Sequence, residues 1–308
     1  MGSKIKMFLN KVRKMSSGYK PRCPTPLQLP HQVSLKIGKF FVKKILGKGT
    51  FGTVYLVQDS EGKHFVLKVS LLEYREMLMA EFGAGRLIIH PCIVPPLEFF
   101  EDGVFCCLLF EYVPSLTLKD YLETKRPSNQ KKMMLVYQLV LAIAHLHFVC
   151  KIAHLDLKPD NILVVVDETG VPKIKIIDFG LASFFKDFKE EPKGTPHWMA
   201  PEVARGDYDE KADIWSLGKI IAWMFTGKNI FLPGNNLDLV KVIYVANIFT
   251  PPIPDQLKTN PKLASVLQLC EACLKINPEL RASAIDLMEM CALILRSLPR
   301  SLPRSLTD

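Results

Sequence analysis

No acidic residue occurs before Asp59, although twelve lysines and arginines do. The net charge of +9 therefore belongs to the first 58 residues, and the rest of the 308-residue chain carries a slight acidic excess. A nucleic-acid-binding domain spreads or stripes its basic charge over a folded face, so no specific nucleic acid is expected as a partner. A secretory pattern is also missing. The longest apolar run, Met133 to Val149, is short for a membrane span and contains Gln138, His145 and His147, which favours a buried core helix. Cys270 and Cys273 have the spacing of a redox or metal pair, but no second pair stands at metal-ligand spacing. Their neighbours Leu267, Leu269, Leu274 and Ile276 point to buried structural thiols in a reducing, intracellular setting. A cytoplasmic location is expected, with the nucleus and the membrane periphery as alternatives. Hydrophobic residues make up 48% of the chain and charged ones 23%, which excludes disorder throughout.

The chain reads as four stretches. Residues 1–34 form a basic arm in which Ile5, Phe8, Leu9 and Val12 follow helical amphipathic spacing. Cys23-Pro24-Thr25-Pro26 and Pro30 then read as an extended linker. A solvated tail, contact with an anionic membrane and contact with the body of the protein are the three readings of this arm. Met1-Gly2-Ser3 opens like a myristoylation site, but Lys6 stands where a hydroxyl is wanted. From Leu35 to Val69 the pattern is strand, Gly-rich turn, strand, turn at Ser60-Glu61-Gly62, strand; Val54, Tyr55, Val57, Phe65, Val66 and Val69 supply the β-formers. A helix is expected near Leu72 to Ile89, and two apolar runs lie near Val94 to Val113. Further helices are expected at Lys131 to Phe148, Asp213 to Thr226 and Ala264 to Leu274. A β-rich first third followed by an α-rich remainder implies an α+β chain in two lobes, 35–113 and 114–296. The repeated Ser-Leu-Pro-Arg of 297–308 reads as a disordered tail.

Chemistry concentrates in a few short motifs. Gly47-Lys48-Gly49-Thr50-Phe51-Gly52-Thr53-Val54 lies between two strands. Glycines there remove the Cβ atoms that keep a backbone from phosphate oxygens. A strand follows the motif, where a dinucleotide-binding unit would place a helix. Lys68 ends Phe65-Val66-Leu67-Lys68. Later come His154-Leu155-Asp156-Leu157-Lys158-Pro159-Asp160-Asn161, Asp178-Phe179-Gly180 and Gly194-Thr195-Pro196-His197-Trp198-Met199-Ala200-Pro201-Glu202.

In order and spacing these motifs resemble the eukaryotic-type Ser/Thr protein kinase superfamily over about Leu35 to Leu295. The resemblance implies a bilobal fold, with a β-rich N-lobe carrying one main helix and an α-rich C-lobe. It also implies transfer of a phosphoryl group from ATP with Mg²⁺ to protein substrates. Lys68 would reach the nucleotide phosphates and pair with a helix glutamate; Glu81 is the choice over Glu73 and Glu76. Asp156 would orient the acceptor hydroxyl and take its proton, Lys158 would neutralise the moving phosphoryl charge, and Asn161 and Asp178 would bind metal. Phe179 would pack in the core. Gly47, Gly49 and Gly52 would cover phosphates, with Leu46, Val54, Val66 and Leu163 around the adenine, Phe110 behind it, and Glu111 to Val113 as the hinge. Lys158 and Thr195 favour Ser/Thr over Tyr acceptors by family analogy. Asp213-Ile214-Trp215-Ser216-Leu217-Gly218 matches the helix that supports the catalytic loop, and Arg281 is placed like the arginine that pairs with Glu202. His-Leu-Asp-Leu-Lys-Pro-x-Asn, Ala80-Glu81-Phe82 and Lys211-Ala212-Asp213-Ile214 are similar to the Mos-type kinases.

Two departures stand out. Gly83 and Gly85 each cost about 1 kcal/mol relative to Ala in a helix, so the Glu81 helix is expected to be easily displaced. Leu155 replaces the arginine that in many kinases receives an activation-loop phosphate. Between Leu181 and Ala200 only Ser183 and Thr195 carry hydroxyls, while Asp187, Glu190 and Glu191 already supply negative charge. Activity without activation-loop phosphorylation is expected. The alternatives are an ATP-binding pseudokinase scaffold and a kinase of small metabolites, which would lack the Ala-Pro-Glu arrangement.

Overall fold

A computed structural model describes residues 36–49, 51–185, 194–203, 206–227 and 253–297. The basic arm, Asp187, Glu190, Glu191 and the tail after Ser297 lie outside the described residues. The chain divides into two compact units, Met1–Phe82 with Pro96–Tyr112, and Gly83–Pro95 with Val113–Asp308.

In the first unit, β1 (Lys36–Ile37), β2 (Phe40–Gly49), β3 (Gly52–Gln58), β4 (His64–Leu71), β5 (Pro96–Asp102) and β6 (Phe105–Glu111) form one antiparallel sheet in the order β1-β2-β3-β4-β6-β5. Strand alternation sorts its two faces. Tyr55, Val57, Leu67, Val69, Cys107 and Leu109 bury one face with Ile37 and Phe40. Leu108 and Cys106 face the other way and pack with Leu78 of α1 (Arg75–Arg86). The β3–β4 turn is built by Asp59, whose Oδ1 accepts from the amides of Glu61 and Lys63, with Gly62 at φ +87°.

The expected Leu72–Ile89 helix is shorter than its pattern. A 3₁₀ turn, Leu72–Tyr74, precedes α1, and Leu87 and Ile89 are exposed beyond its end. Pro91 disfavours helical backbone at His90, which limits how far the apolar run can continue as helix. Gly83 and Gly85 both lie inside α1.

The second unit is mostly helical. Thr117 caps α2 (Leu118–Lys125), accepting from the Asp120 amide at 3.1 Å, and Ser128 caps α3 (Asn129–Ala144). The chain continues from α3 into a π-helical turn, His145–Cys150, so the helix expected from Lys131 to Phe148 is longer at both ends and irregular at its close. Asn129–Cys150 is long and apolar enough to cross a membrane by length and composition, contrary to the shorter run read from sequence, but 56% of its most apolar window is buried within the protein. Helices α4 (Lys211–Thr226), α5 (Asp255–Thr259), α6 (Ala264–Cys273) and α7 (Ala284–Ser297) follow. Ser297, read as the first residue of the tail, closes α7. Short strands β7 (Leu116–Thr117), β9 (Ile162–Val166) and β10 (Pro172–Ile176) form one ribbon, and β8 (Ile152–Ala153) pairs with β11 (Ser183–Phe184).

Thirteen of the sixteen residues of α4 are buried, so it is the central helix of this unit. Fully burying a Leu, Ile or Phe contributes roughly 1.5–3 kcal/mol, and Ile214, Leu217, Ile220 and Ile221 are all at 0% exposure. Cys270 and Cys273 are buried free thiols; burial pushes the Cys270 pKa up to about 12. Among the described residues no three His, Cys, Asp or Glu side chains gather as a metal site.

Candidate active site

In the first unit, register places Lys68 opposite Val54 on one side and Leu108 on the other, while Val66 pairs with Phe110. Because side chains alternate, Val54, Val66, Lys68 and Phe110 share one face of the sheet, each only partly buried. Leu46 stands at the irregularity of β2 and is exposed, and Glu111 ends β6 opposite Phe65. Lys68 Nζ donates to both carboxylate oxygens of Glu81, at 3.0 and 2.8 Å. Glu81 is 3% exposed, and a carboxylate so buried needs such a partner. Glu76 instead pairs with Arg75 at the surface, and Glu73 is exposed in the 3₁₀ turn.

The three glycines of the turn are not equivalent. A Cβ at Gly52 would lie 2.2 Å from the Val69 carbonyl oxygen, so this glycine is demanded by strand packing. A Cβ at Gly47 would meet nothing within 4 Å, and one at Gly49 only the Gly52 carbonyl at 3.8 Å. The protein's own packing does not explain those two. Open backbone suits close approach by phosphate oxygens, so the residues fit a nucleotide.

In the second unit the carboxylate of Asp156 is the centre of a network. Its Oδ1 accepts from the Thr195 amide at 2.8 Å and the Thr195 hydroxyl at 2.6 Å. Its Oδ2 accepts from Lys158 Nζ at 2.6 Å and Asn161 Nδ2 at 3.1 Å. Lys158 Nζ also donates to the Thr195 hydroxyl at 2.9 Å, and Asn161 Nδ2 to the Asp156 carbonyl at 2.9 Å. The Asn161 carbonyl accepts from the amide of Ile177, next to Asp178. The two side chains expected to bind metal thus project from adjoining backbone, and their oxygen donors suit magnesium. Asp178 and Leu155 hold φ of 65° and 63°, a conformation that costs a non-glycine residue about 1 kcal/mol or more. Phe179 is buried against His154, ring centroids 4.8 Å apart. Leu163 lies on β9 opposite Lys175 and Thr117, and the Val113 carbonyl accepts from Ser115 Oγ at 2.9 Å.

What holds the Asp156 loop is Asp213 of α4. Its carboxylate accepts from the His154 amide at 2.7 Å and the Leu155 amide at 2.8 Å, and lies 3.0 Å from His147 Nε2. Burial alone would raise the Asp213 pKa; the His147 bond, the His147 and His154 imidazoles and the His154 amide outweigh it and hold it below the ordinary value. Further along, both guanidinium NH groups of buried Arg281 bond the carboxylate of buried Glu202, one of them at 2.7 Å.

Sequence reasoning did not find the roles of His147 or Lys219, and it quoted Ser216 only as part of the supporting-helix motif. Ser216 and Lys219 bond the carbonyls of Trp198 and His197. Their signal was available: Ser216 and Lys219 are polar residues in an otherwise apolar helical run.

Comparison with known proteins places the chain in a family. The protein kinase domain family matches residues 40–291. Over 256 residues the chain is 32% identical to calcium-dependent protein kinase 4 of Plasmodium falciparum (isolate 3D7), covering 80% of this chain and 48% of that protein. It is 30% identical over 287 residues to mitogen-activated protein kinase kinase 2 of Arabidopsis thaliana, covering 89% and 77%. It is 32% identical over 271 residues to the human serine/threonine-protein kinase Nek11, covering 82% and 40%. The chain spans about half the length of the first of these relatives.

Proposed function

Because this chain belongs to the protein kinase domain family, we propose that it transfers the γ-phosphoryl group of Mg-ATP to serine and threonine hydroxyls of protein substrates. One observation carries the reading: the Asp156 carboxylate already receives an alcohol, the Thr195 hydroxyl, at 2.6 Å, with the Lys158 ammonium 2.9 Å from the same hydroxyl oxygen. An acceptor hydroxyl received the same way would be oriented by a base and flanked by a cation. Asp156 takes the acceptor proton, and Lys158 offsets negative charge on the phosphoryl oxygens. Lys68, fixed by Glu81, binds nucleotide phosphates beneath Gly47 and Gly49. Val54, Val66 and Phe110 offer the adenine an apolar face. Asn161 and Asp178 would hold magnesium, which when bound supplies positive charge to the phosphate oxygens.

Activation-loop phosphorylation is not required. Leu155 has no guanidinium to receive a phosphate. Ser183 is 9% exposed and paired with Ala153 in a strand ladder. The Thr195 hydroxyl is engaged by Asp156 and Lys158. The Ser183 hydroxyl donates to the Phe184 carbonyl at 3.4 Å, and the Asp156 carboxylate is bonded by Thr195, Lys158 and Asn161; these contacts support the phosphate-independent reading.

Labelled ATP with a generic protein acceptor tests the proposal. Wild-type protein should transfer label to serine and threonine, and Lys68→Met and Asp156→Asn should not. Nucleotide binding without transfer by wild-type protein would instead establish the pseudokinase reading. Ser183→Ala should leave peptide phosphorylation intact; loss to the level of Asp156→Asn would overturn the phosphorylation-independent reading. A cytoplasmic setting is proposed on the buried free thiols, and contact of the basic arm with anionic lipid or the kinase body on charge alone. Cosedimentation with anionic against neutral vesicles separates these two contacts.

A further inference from the structure

Helix α4 is apolar on nearly every buried position, yet it carries three buried polar side chains spaced three apart: Asp213, Ser216 and Lys219. That spacing puts them in one row along the helix. Asp213 holds the amides of His154 and Leu155. Ser216 Oγ donates to the Trp198 carbonyl at 2.8 Å and Lys219 Nζ to the His197 carbonyl. The ammonium also lies 6.0 Å from the Trp198 ring, a cation–π distance, and that ring packs edge-on against Trp223 of the same helix. Two consecutive carbonyls of the Gly194–Val203 segment are thus held by two side chains one turn apart.

Packing alone does not account for a lysine here. Lys219 is 2% exposed, and burying an ammonium is costly where a methionine of similar reach would fill the space without that cost. Burial pulls its pKa down to about 7, which registers the same cost. The return is geometric. The held carbonyls lie two and three residues beyond Thr195, whose amide and hydroxyl bond Asp156.

We propose that Lys219, seconded by Ser216, is a positioning residue for the protein substrate, fixing the His197–Trp198 backbone so that the acceptor-binding segment stays registered on Asp156 without a phosphate. This rests on the kinase reading above. It assigns to Lys219 no contact with substrate or nucleotide. Its effect passes through the two carbonyls.

The test pairs hydrogen exchange with steady-state kinetics on the full chain, using Lys219→Met, Lys219→Gln and Ser216→Ala. In Lys219→Met the amides of 194–203 should exchange about tenfold faster, the loss of one to two hydrogen bonds, while α3 and α6 stay protected. The peptide KM should rise about five- to tenfold with kcat within about twofold and the ATP KM unchanged. Lys219→Gln, which keeps a donor, should restore most of the peptide KM, and Ser216→Ala should show the same pattern more weakly. Unchanged exchange in 194–203, or a kcat loss with the peptide KM unmoved, overturns the proposal. Should Lys219→Met fail to fold, Ser216→Ala decides by the same two readouts. If the wild-type chain transfers no phosphate, the kinase reading falls, and exchange in 194–203 alone still decides whether Lys219 holds the segment.

Discussion

Gly194 presses on Leu155: a Cβ added to Gly194 would lie 2.5 Å from the Leu155 carbonyl oxygen. Its φ of +104° is also a conformation that side chains rarely adopt. The contact seats the residue before Thr195 directly on the catalytic loop. Gly194→Ala should therefore displace Thr195 from Asp156. Peptide kcat/KM is expected to drop by up to about a hundredfold, a loss that a 1 Å misplacement can cause. Stability should fall by only about 1–3 kcal/mol. Peptide kinetics beside a thermal melt will show whether activity fails before the fold does.

Asp213 bears on both stability and acid tolerance. Asp213→Ala strands two buried amides and His147, at roughly 1–3 kcal/mol for each unsatisfied group. The folded-state pKa of Asp213 is lowered, so its contribution is present above the unfolded value and lost as pH falls through the folded one. Below about pH 4 the wild-type advantage over Asp213→Asn should shrink. Urea midpoints of both proteins at pH 7 and pH 3.5 measure this directly.

The Glu202–Arg281 pair predicts an asymmetric result. Arg281→Met leaves the buried Glu202 carboxylate uncompensated and should cost about 3–5 kcal/mol, while adding Glu202→Gln should recover much of it. A double-mutant cycle by denaturant unfolding is the measurement. Additive losses would mean that the two side chains act independently.

Lys219 gives a pH signature of its own. Its folded pKa of about 7 lies below the unfolded value of 10.5, so between those values the native state binds fewer protons than the unfolded chain. Wild-type stability therefore gains with rising pH across that window. Lys219→Met lacks the gain, so the stability of wild type relative to Lys219→Met should rise as pH rises from about 7 toward 10.5. Melting temperatures of both proteins at several pH values are sufficient. A gap that does not change with pH would rule out a buried ionisable lysine.

Much of the fold and the centre of the site could be read from sequence because the relevant patterns are local. Lys68, Asp156, Asn161 and Asp178 each lie in a short motif, and strand alternation places Val54, Val66 and Phe110 on the face of Lys68. Glu81 required more, since three glutamates compete within nine residues; its place nine residues before His90 singled it out, and its burial and bonds to Lys68 agree with that choice. The turn glycines read as one phosphate motif, yet Gly52 answers to the Val69 carbonyl, a contact made across a strand pair. Lys219 was missed because its partner lies 22 residues away in a segment without regular structure. The π-helical turn after α3 was missed because apolar periodicity does not distinguish α from π spacing over a single turn.

The row on α4 also has a mechanical consequence. One rod grips both the loop that carries Asp156 and the His197–Trp198 segment. A displacement of that rod would carry the two together, as parts clamped in a common jig move together. Their separation is then set by three short polar tethers to one helix, not by the length of chain between them.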